Sequence, residues 1–468
     1  MEFLPNSKEN LNKIYQKQKN AAAKTEEILE NSQDQIVNGL GQVGEIEKKV
    51  QKTIWDFLFP TIIRRRRSIK DYFSIAKNGT ITGAADNDPA GIVTYAQAGA
   101  KAGYGLLWLI IVITPVFIAL ESLSAHVAVA TKKGLAKLIR DRYGKKFALI
   151  IASIIALANV SAIGADVAAM SELLGIFTHL HWWIFYFGIT FILCILLIRG
   201  GYSFLSRFFF LLTPIFLCYI ISAFLMHPSW LQIFKDIIAP TFQSNSEYWL
   251  IAVALIGTTI GPYVLFWQNT QEIEEHKTIR NLNDEKFGTR FGITYGNLMS
   301  AFITICAGTA LYTSGATFNS AKDVALLLKP IAGQYAFSLF SIGIIGAGLL
   351  AVPILASSTA YIFSDIFDWK GSLDRKVNEA KSFYAVLLAS LFIGAMFILS
   401  GLSPVKMLIY SQVLAGLVMP ILILILLLIA HNKKIMGEHK PSTTLIVLTW
   451  ISLFITLLVD IVLVTSWI

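Results

Sequence analysis

From Tyr72 almost to the C-terminus, apolar runs of bilayer length recur eleven times. They cover residues 72–103, 106–130, 147–177, 182–198, 207–226, 248–270, 291–313, 333–363, 382–402, 405–430 and 442–467. A helix needs about 20 apolar residues to cross the hydrocarbon core, where only helices and closed barrels can satisfy their own backbone groups. Runs this long are not barrel strands, so the chain is expected to be an all-α polytopic membrane protein with eleven transmembrane helices. Composition agrees: 15% of residues are charged and 55% hydrophobic, against about 25% charged in soluble domains.

The net charge of +9 does not point to nucleic acid, because the basic residues collect in short connectors between apolar runs. Segments 131–146, 199–207, 271–290, 365–381 and 431–440 carry them, whereas 227–247 holds only Lys235 and 314–332 only Lys322 and Lys329. By the positive-inside rule every connector fits one orientation, with the N-terminus cytoplasmic and Ile468 outside. The expected location is the plasma (inner) membrane. The first residues are polar and mixed in charge, so no signal peptide is expected. Cys194, Cys218 and Cys306 each fall inside an apolar run and form no Cys-x-x-Cys pair, which reads as small buried side chains.

Residues 1–70 form a separate cytoplasmic extension with 13 Lys or Arg and 9 Asp or Glu. Ile36, Leu40, Val43, Ile46, Val50 and Ile54 recur at three- and four-residue spacing, which predicts an amphipathic helix that pairs with another helix or lies on the bilayer. Arg64 to Arg67 then anchor the cytoplasmic side of the first span.

Two of the apolar runs are interrupted. Gly83 to Gly91 reads Gly-Ala-Ala-Asp-Asn-Asp-Pro-Ala-Gly, placing Asp86 and Asp88 where no water solvates them. Ionisable residues at such depth mark ion or substrate pathways. Pro89 lacks an amide hydrogen, so helix is expected to fail just before it and leave carbonyls near Asp86 to Asp88 free for a cation. The sixth run carries Gly257-Thr258-Thr259-Ile260-Gly261-Pro262-Tyr263, with Gly261 expected to supply the break's backbone angles. The interrupted runs are the first and the sixth, the first members of two sets of five. Such pairing points to a transporter's midplane site.

These motifs resemble the Nramp divalent-metal transporters. Asp88-Pro89-Ala90-Gly91 stands where that family carries Asp-Pro-Gly-Asn, and Gly257 to Tyr263 where it carries a stretch ending Met-Pro-His. Leu106-Leu107-Trp108, Ala165-Asp166 and Ser411-Gln412-Val413 look like further landmarks. The resemblance covers about residues 72–430. It implies an inverted repeat of five plus five helices (LeuT-like), over about 71–227 and 247–430, with helices 1 and 6 discontinuous. Residues 431–468 would then add a connector and an eleventh helix.

The resemblance also implies a site. Asp88, Gly91, Thr258, Gly261 and Gln412 occupy the positions that would surround the metal, and Asp86, Asp166 and Glu172 are candidates for an ion or proton path. The departures are informative: the ligating asparagine is Gly91, the sulfur ligand is Gly261, and a family alanine is Thr258. Losing an amide and a thioether suits a hard, partly hydrated ion. The pattern looks like the Nramp-related magnesium-transporter branch, so the expected cargo is Mg2+ and/or Mn2+, with no cofactor. Asp166 matches an acidic position of proton-coupled members, but its partner one turn later is Ala169, and Tyr263 and Gln268 stand where those members carry histidine.

The same residues bear on other functions. A proton-coupled Mn2+/Fe2+ symporter differs by retaining titratable groups at the site. An organic-substrate symporter is disfavoured because an acid at the break repels a carboxylate. An intramembrane enzyme would call for a His-Glu-x-x-His or Gly-x-Ser-x-Gly motif, and neither occurs. Glu121 and His126 are five residues apart, hence not on one helix face, and do not read as a joint metal site.

Overall fold

The computed structural model describes residues 69–465 apart from 86, 280–281, 313–320 and 398–403. All described regular structure is helical. In chain order come α1 (Ile69–Ala85), α2 (Pro89–Ala102), α3 (Leu107–Thr131), α4 (Leu135–Tyr143), α5 (Lys145–Thr178) and α6 (Trp182–Arg199). There follow α7 (Gly201–Leu212), α8 (Leu217–Leu225), α9 (Trp230–Ile238), α10 (Ser246–Thr259), α11 (Pro262–Glu274) and α12 (Leu282–Leu311). The chain closes with α13 (Ala321–Phe367), α14 (Lys381–Phe397), α15 (Pro404–Ala430), α16 (Lys433–Met436) and α17 (Thr443–Thr465). The amphipathic helix expected over 36–54, the four arginines and Asp86 lie outside the described residues.

Among the described residues nine stretches are long and apolar enough to cross a membrane, with α7–α8 and α10–α11 each forming one of them. The other two expected runs are the interrupted pair α1–α2 and the shorter α14. The structure adds detail that the apolar runs do not carry. The fifth run is split by a 3-10 turn at Thr213–Phe216, which contains Pro214, and Tyr295 donates its hydroxyl to the Thr213 carbonyl at 2.5 Å. Three connectors, moreover, hold helices of their own, α4, α9 and the short α16.

Proline alone does not make the breaks. Pro115 lies inside α3 and Pro420 inside α15 without ending either helix. At both breaks the proline is instead the first residue of the following helix, where a missing amide hydrogen costs nothing, after an extended N-cap residue. Asp88 has φ −61° and ψ 167°, and Gly261 φ −59° and ψ 126°.

Glycines hold the broken helices against continuous ones. On α1, a Cβ at Gly79 would lie 1.8 Å from the Gly288 carbonyl oxygen, and one at Gly83 would lie 2.0 Å from that of Gly292. Seen from α12, a Cβ at Gly292 or Gly296 would strike the Gly79 or Gly83 carbonyl at 1.7 and 2.0 Å. On α10, a Cβ at Gly257 would lie 1.9 Å from the Gln412 carbonyl of α15. Such backbone contact is how membrane helices gain dispersion energy without a hydrophobic drive.

On the face with the basic connectors, α4 is tied to two membrane helices. Its Leu135 amide donates to Asn269 Oδ1 of α11 at 2.9 Å, and its Lys137 amide donates to the Asp365 carboxylate of α13. Lys137 and Arg140 also pair with Asp368 just beyond α13.

Candidate metal path

The first break places charge at a helix N-terminus. Asp88 is 1% exposed and caps α2, one carboxylate oxygen accepting the Gly91 amide while Oδ2 has no partner. Asp166, on α5, reaches the same terminus: its Oδ1 accepts the Ala90 amide at 3.0 Å and its Oδ2 is unpartnered in a fully buried position. Two carboxylates from different helices therefore take adjacent amides of one turn, where the α2 dipole favours negative charge. Each keeps an oxygen free.

The break is anchored by a residue not singled out above. Asn87 donates to the carbonyls of Gly83 (3.3 Å) and Gly296 (3.0 Å) and accepts from Ser300 at 2.8 Å. It thereby fastens the gap between α1 and α2 to α12. An asparagine between two aspartates was the available signal, overshadowed by its charged neighbours.

The second break faces the first. Tyr95 of α2 and Thr259 of α10 share a hydroxyl hydrogen bond of 3.0 Å, and Tyr263 of α11 donates to the Ala85 carbonyl at 2.9 Å. Free carbonyls were expected at the first break, but Ala84 accepts from the Asn87 amide, Ala85 from Tyr263 and Asp88 from the Ile92 amide. These three carbonyls are taken, and the buried side-chain atoms without a partner include oxygens of Asp88 and Asp166. Thr258 adds one, with its hydroxyl buried and unpartnered at the end of α10.

Gly261 caps α11 with no side-chain bond. Its backbone angles are ones that any residue adopts, so the expectation that glycine serves the torsions is corrected: what glycine permits is the close approach of the Tyr263 ring. A Cβ there would lie 2.8 Å from the edge of the Tyr263 ring, so the ring would have to move. Gly91 stands in the first turn of α2. Gln412, 3% exposed, lies on α15 beside Gly257. Glu172 sits on α5 about 9 Å of helix rise beyond Asp166 and is half-buried, whereas Asp166 bonds directly to the Asp88 turn. Glu121, on α3, is fully buried with both carboxylate oxygens unpartnered, and His126 Nε2 bonds the His439 carbonyl at 3.0 Å. Among the described residues no three His, Cys, Asp or Glu side chains converge as a metal cage.

Comparison with known proteins places this arrangement. The family model described as "Natural resistance-associated macrophage protein-like" (Nramp) matches residues 79–466. The divalent metal cation transporter MntH of Klebsiella pneumoniae is 26% identical over 362 residues, covering 75% of this chain and 84% of that protein. Among solved structures, the manganese transporter of Eremococcus coleocola superposes with a TM-score of 0.69 at 17% identity, covering 87% of this chain and 90% of its own. Mhp1, a nucleobase-cation-symport-1 transporter, gives 0.54 at 13% identity, covering 84% and 93%. The fold is thus the one expected, shared with cation-coupled symporters and built around two interrupted helices. With the family model spanning both breaks and nearly all the described helices, the chain belongs to the Nramp family of divalent-metal transporters.

Proposed function

We propose that this protein carries divalent cations, Mn2+ and Mg2+, across the plasma membrane by alternating access around the two breaks. Manganese is supported by the relatives, one named a divalent metal cation transporter and one a manganese transporter. Magnesium is supported by the residues. The observation that carries the reading is the pair of free carboxylate oxygens at Asp88 and Asp166, with a glycine at the second break where the resemblance implies a sulfur ligand. Hard oxygen donors, few in number and without a soft partner, suit an ion that keeps part of its water. Gly91, Thr258 and Gln412 complete the surroundings. The N-terminus is cytoplasmic and Ile468 outside, by the basic connectors. Residues 1–70 form an extension, and 431–468 an addition to the ten-helix core.

Nramp proteins are transporters, not enzymes, so the intramembrane-enzyme reading falls with the family. A proton-coupled transition-metal symporter is the second reading, and one observation favours it: Asp166 meets the same turn as Asp88. Against it, Tyr263 and Ala169 fill two coupling positions, and Tyr263 spends its hydroxyl on the Ala85 carbonyl. In the uncoupled reading the membrane potential supplies about 4.6 kcal/mol per 100 mV for a doubly charged ion. Uptake into proteoliposomes, with competing Mg2+ and Mn2+ and an internal pH dye, decides between them. Uncoupled entry predicts metal uptake without proportional acidification. Acidification in fixed ratio to metal entry, abolished by Asp166→Asn, would establish the symporter.

A further inference from the structure

On the basic-connector face, away from the metal path, a cavity of about 510 Å³ opens between the ends of α3 and α15, α4 and α16. That volume is in the range of small-molecule sites. Its charged lining is Lys133, Arg142, Lys434 and Asp141, over an apolar floor that includes Leu138 and Ile435. Asp141 does not balance the three cations. It is shared between Lys133 at 2.9 Å and Arg140 at 2.9 Å, whereas Arg142 rests on the Tyr143 ring and neither Arg142 nor Lys434 has a carboxylate partner among the described residues. The cavity therefore carries uncompensated positive charge.

The surface leading into it is lipid-facing. Leu417, Ile421, Leu424 and Leu428 of α15 are each 36–44% exposed, and their spacing of four, three and four puts them on one stripe. One further turn along that stripe stands Asn432, in the cavity wall. An aliphatic track thus ends in a cationic pocket where the membrane helices end.

We propose that this pocket binds the phosphate of an anionic phospholipid from the cytoplasmic leaflet, Arg142 and Lys434 holding the headgroup while its acyl chains lie along the α15 stripe. Basic pockets between membrane helices on that side are suited to phosphorylated headgroups. The α15 stripe favours a lipid over free phosphate, which has no use for an apolar track. The assignment to the cytoplasmic leaflet rests on the orientation read from the connectors; binding itself does not.

The test is native mass spectrometry of the intact detergent-solubilised protein, titrated with dioleoyl phosphatidylglycerol or dioleoyl phosphatidylcholine. Phosphatidylglycerol is expected to bind more tightly. Since each basic residue contributes about fivefold to anionic-lipid attraction, Arg142→Gln with Lys434→Gln should weaken it by about twenty-five-fold. A control pair on the same face, Lys376→Gln with Lys381→Gln, removes the same charge outside the pocket and should change affinity by less than about twofold on that account. The proposal is overturned if the pocket variant binds like the unaltered protein, if the control pair loses as much, or if millimolar inorganic phosphate displaces the lipid. None of these readouts depends on which metal is carried or which way the protein faces.

Discussion

The two breaks use one architecture and opposite chemistry. In each, an extended residue followed by proline starts a new helix, and glycines press the preceding half-helix onto a continuous partner. The first break caps its helix with a carboxylate and draws in a second one from α5. The second caps its helix with glycine and contributes a free threonine hydroxyl. Geometry is thus set by proline and glycine on both sides, while charge is confined to one. The comparison teaches that fold and ion preference are written in different residues of the same motif, and so can be changed separately.

The largest effect is expected from removing that charge. Asp88→Asn keeps the size of the cap and its bond to Gly91 but leaves a divalent ion without its main counter-charge. Uptake should drop to background while size-exclusion profile and thermal stability stay those of the unaltered protein. Uptake near the normal rate would show that the two breaks are chemically alike after all.

Next come the seams. Gly83→Ala would place a methyl where the Gly292 carbonyl lies, and Gly257→Ala would do the same against Gln412. Overpacking of this kind costs about 1–3 kcal/mol, and a loss of thermal stability in detergent should appear in both variants. A loss confined to one would show that only that half-helix depends on backbone contact.

The third expectation concerns selectivity. Gly261→Met with Gly91→Asn puts a sulfur and an amide back at the site, and preference should move toward Mn2+ and Cd2+ over Mg2+ in competition uptake. The torsions at Gly261 accept methionine, but its Cβ requires the Tyr263 ring to shift, so the comparison is made on the variant that retains a monodisperse size-exclusion profile. Unchanged Mg2+ competition would disconnect ligand softness from the choice of ion.

The smallest effect lies at the inner surface. Bonds from Arg140 and Lys137 push the Asp368 carboxyl down to about 2. A depressed carboxylate contributes stability above its unfolded pKa, near 4, and loses that contribution as pH falls from there through about 2. Between pH 5.5 and 8 the pairs that Asp368 makes with Arg140 and Lys137 should therefore be constant, and Asp368→Asn should leave the pH profile of uptake unchanged. Asparagine also tolerates the left-handed φ of 55° at this position. A shifted profile would give α4 a part in transport that neither break requires.

Both breaks were legible in the sequence because proline, glycine and carboxylate in an apolar run each violate the surrounding pattern. The placement of Asp166 followed only from resemblance, since nothing in its own helix distinguishes an acid that meets another helix from one that does not. The seams were not legible. Gly79 and Gly83 precede Gly288, Gly292 and Gly296 by some two hundred positions, and the four-residue spacing in each segment has meaning only once the helices are side by side. The helix α4 was hidden by its charge, which read as a connector, and its two anchors are distant in sequence, Asn269 in an apolar run and Asp365 at the start of another connector.

The seam between α1 and α12 has a mechanical consequence. Interlocked side chains act like gear teeth: one helix shifts against another only when rotamers jump. Where main chain lies on main chain there are no teeth, and the contact works as a plain bearing. It resists separation through summed dispersion and weak Cα–H···O contacts, yet offers no barrier of locked rotamers to tilting or sliding. The stop on that bearing is Asn87, fixed to α12 at Gly296 and Ser300. α1 is thereby a lever with a smooth shaft and a pinned end, the pin standing one residue before Asp88.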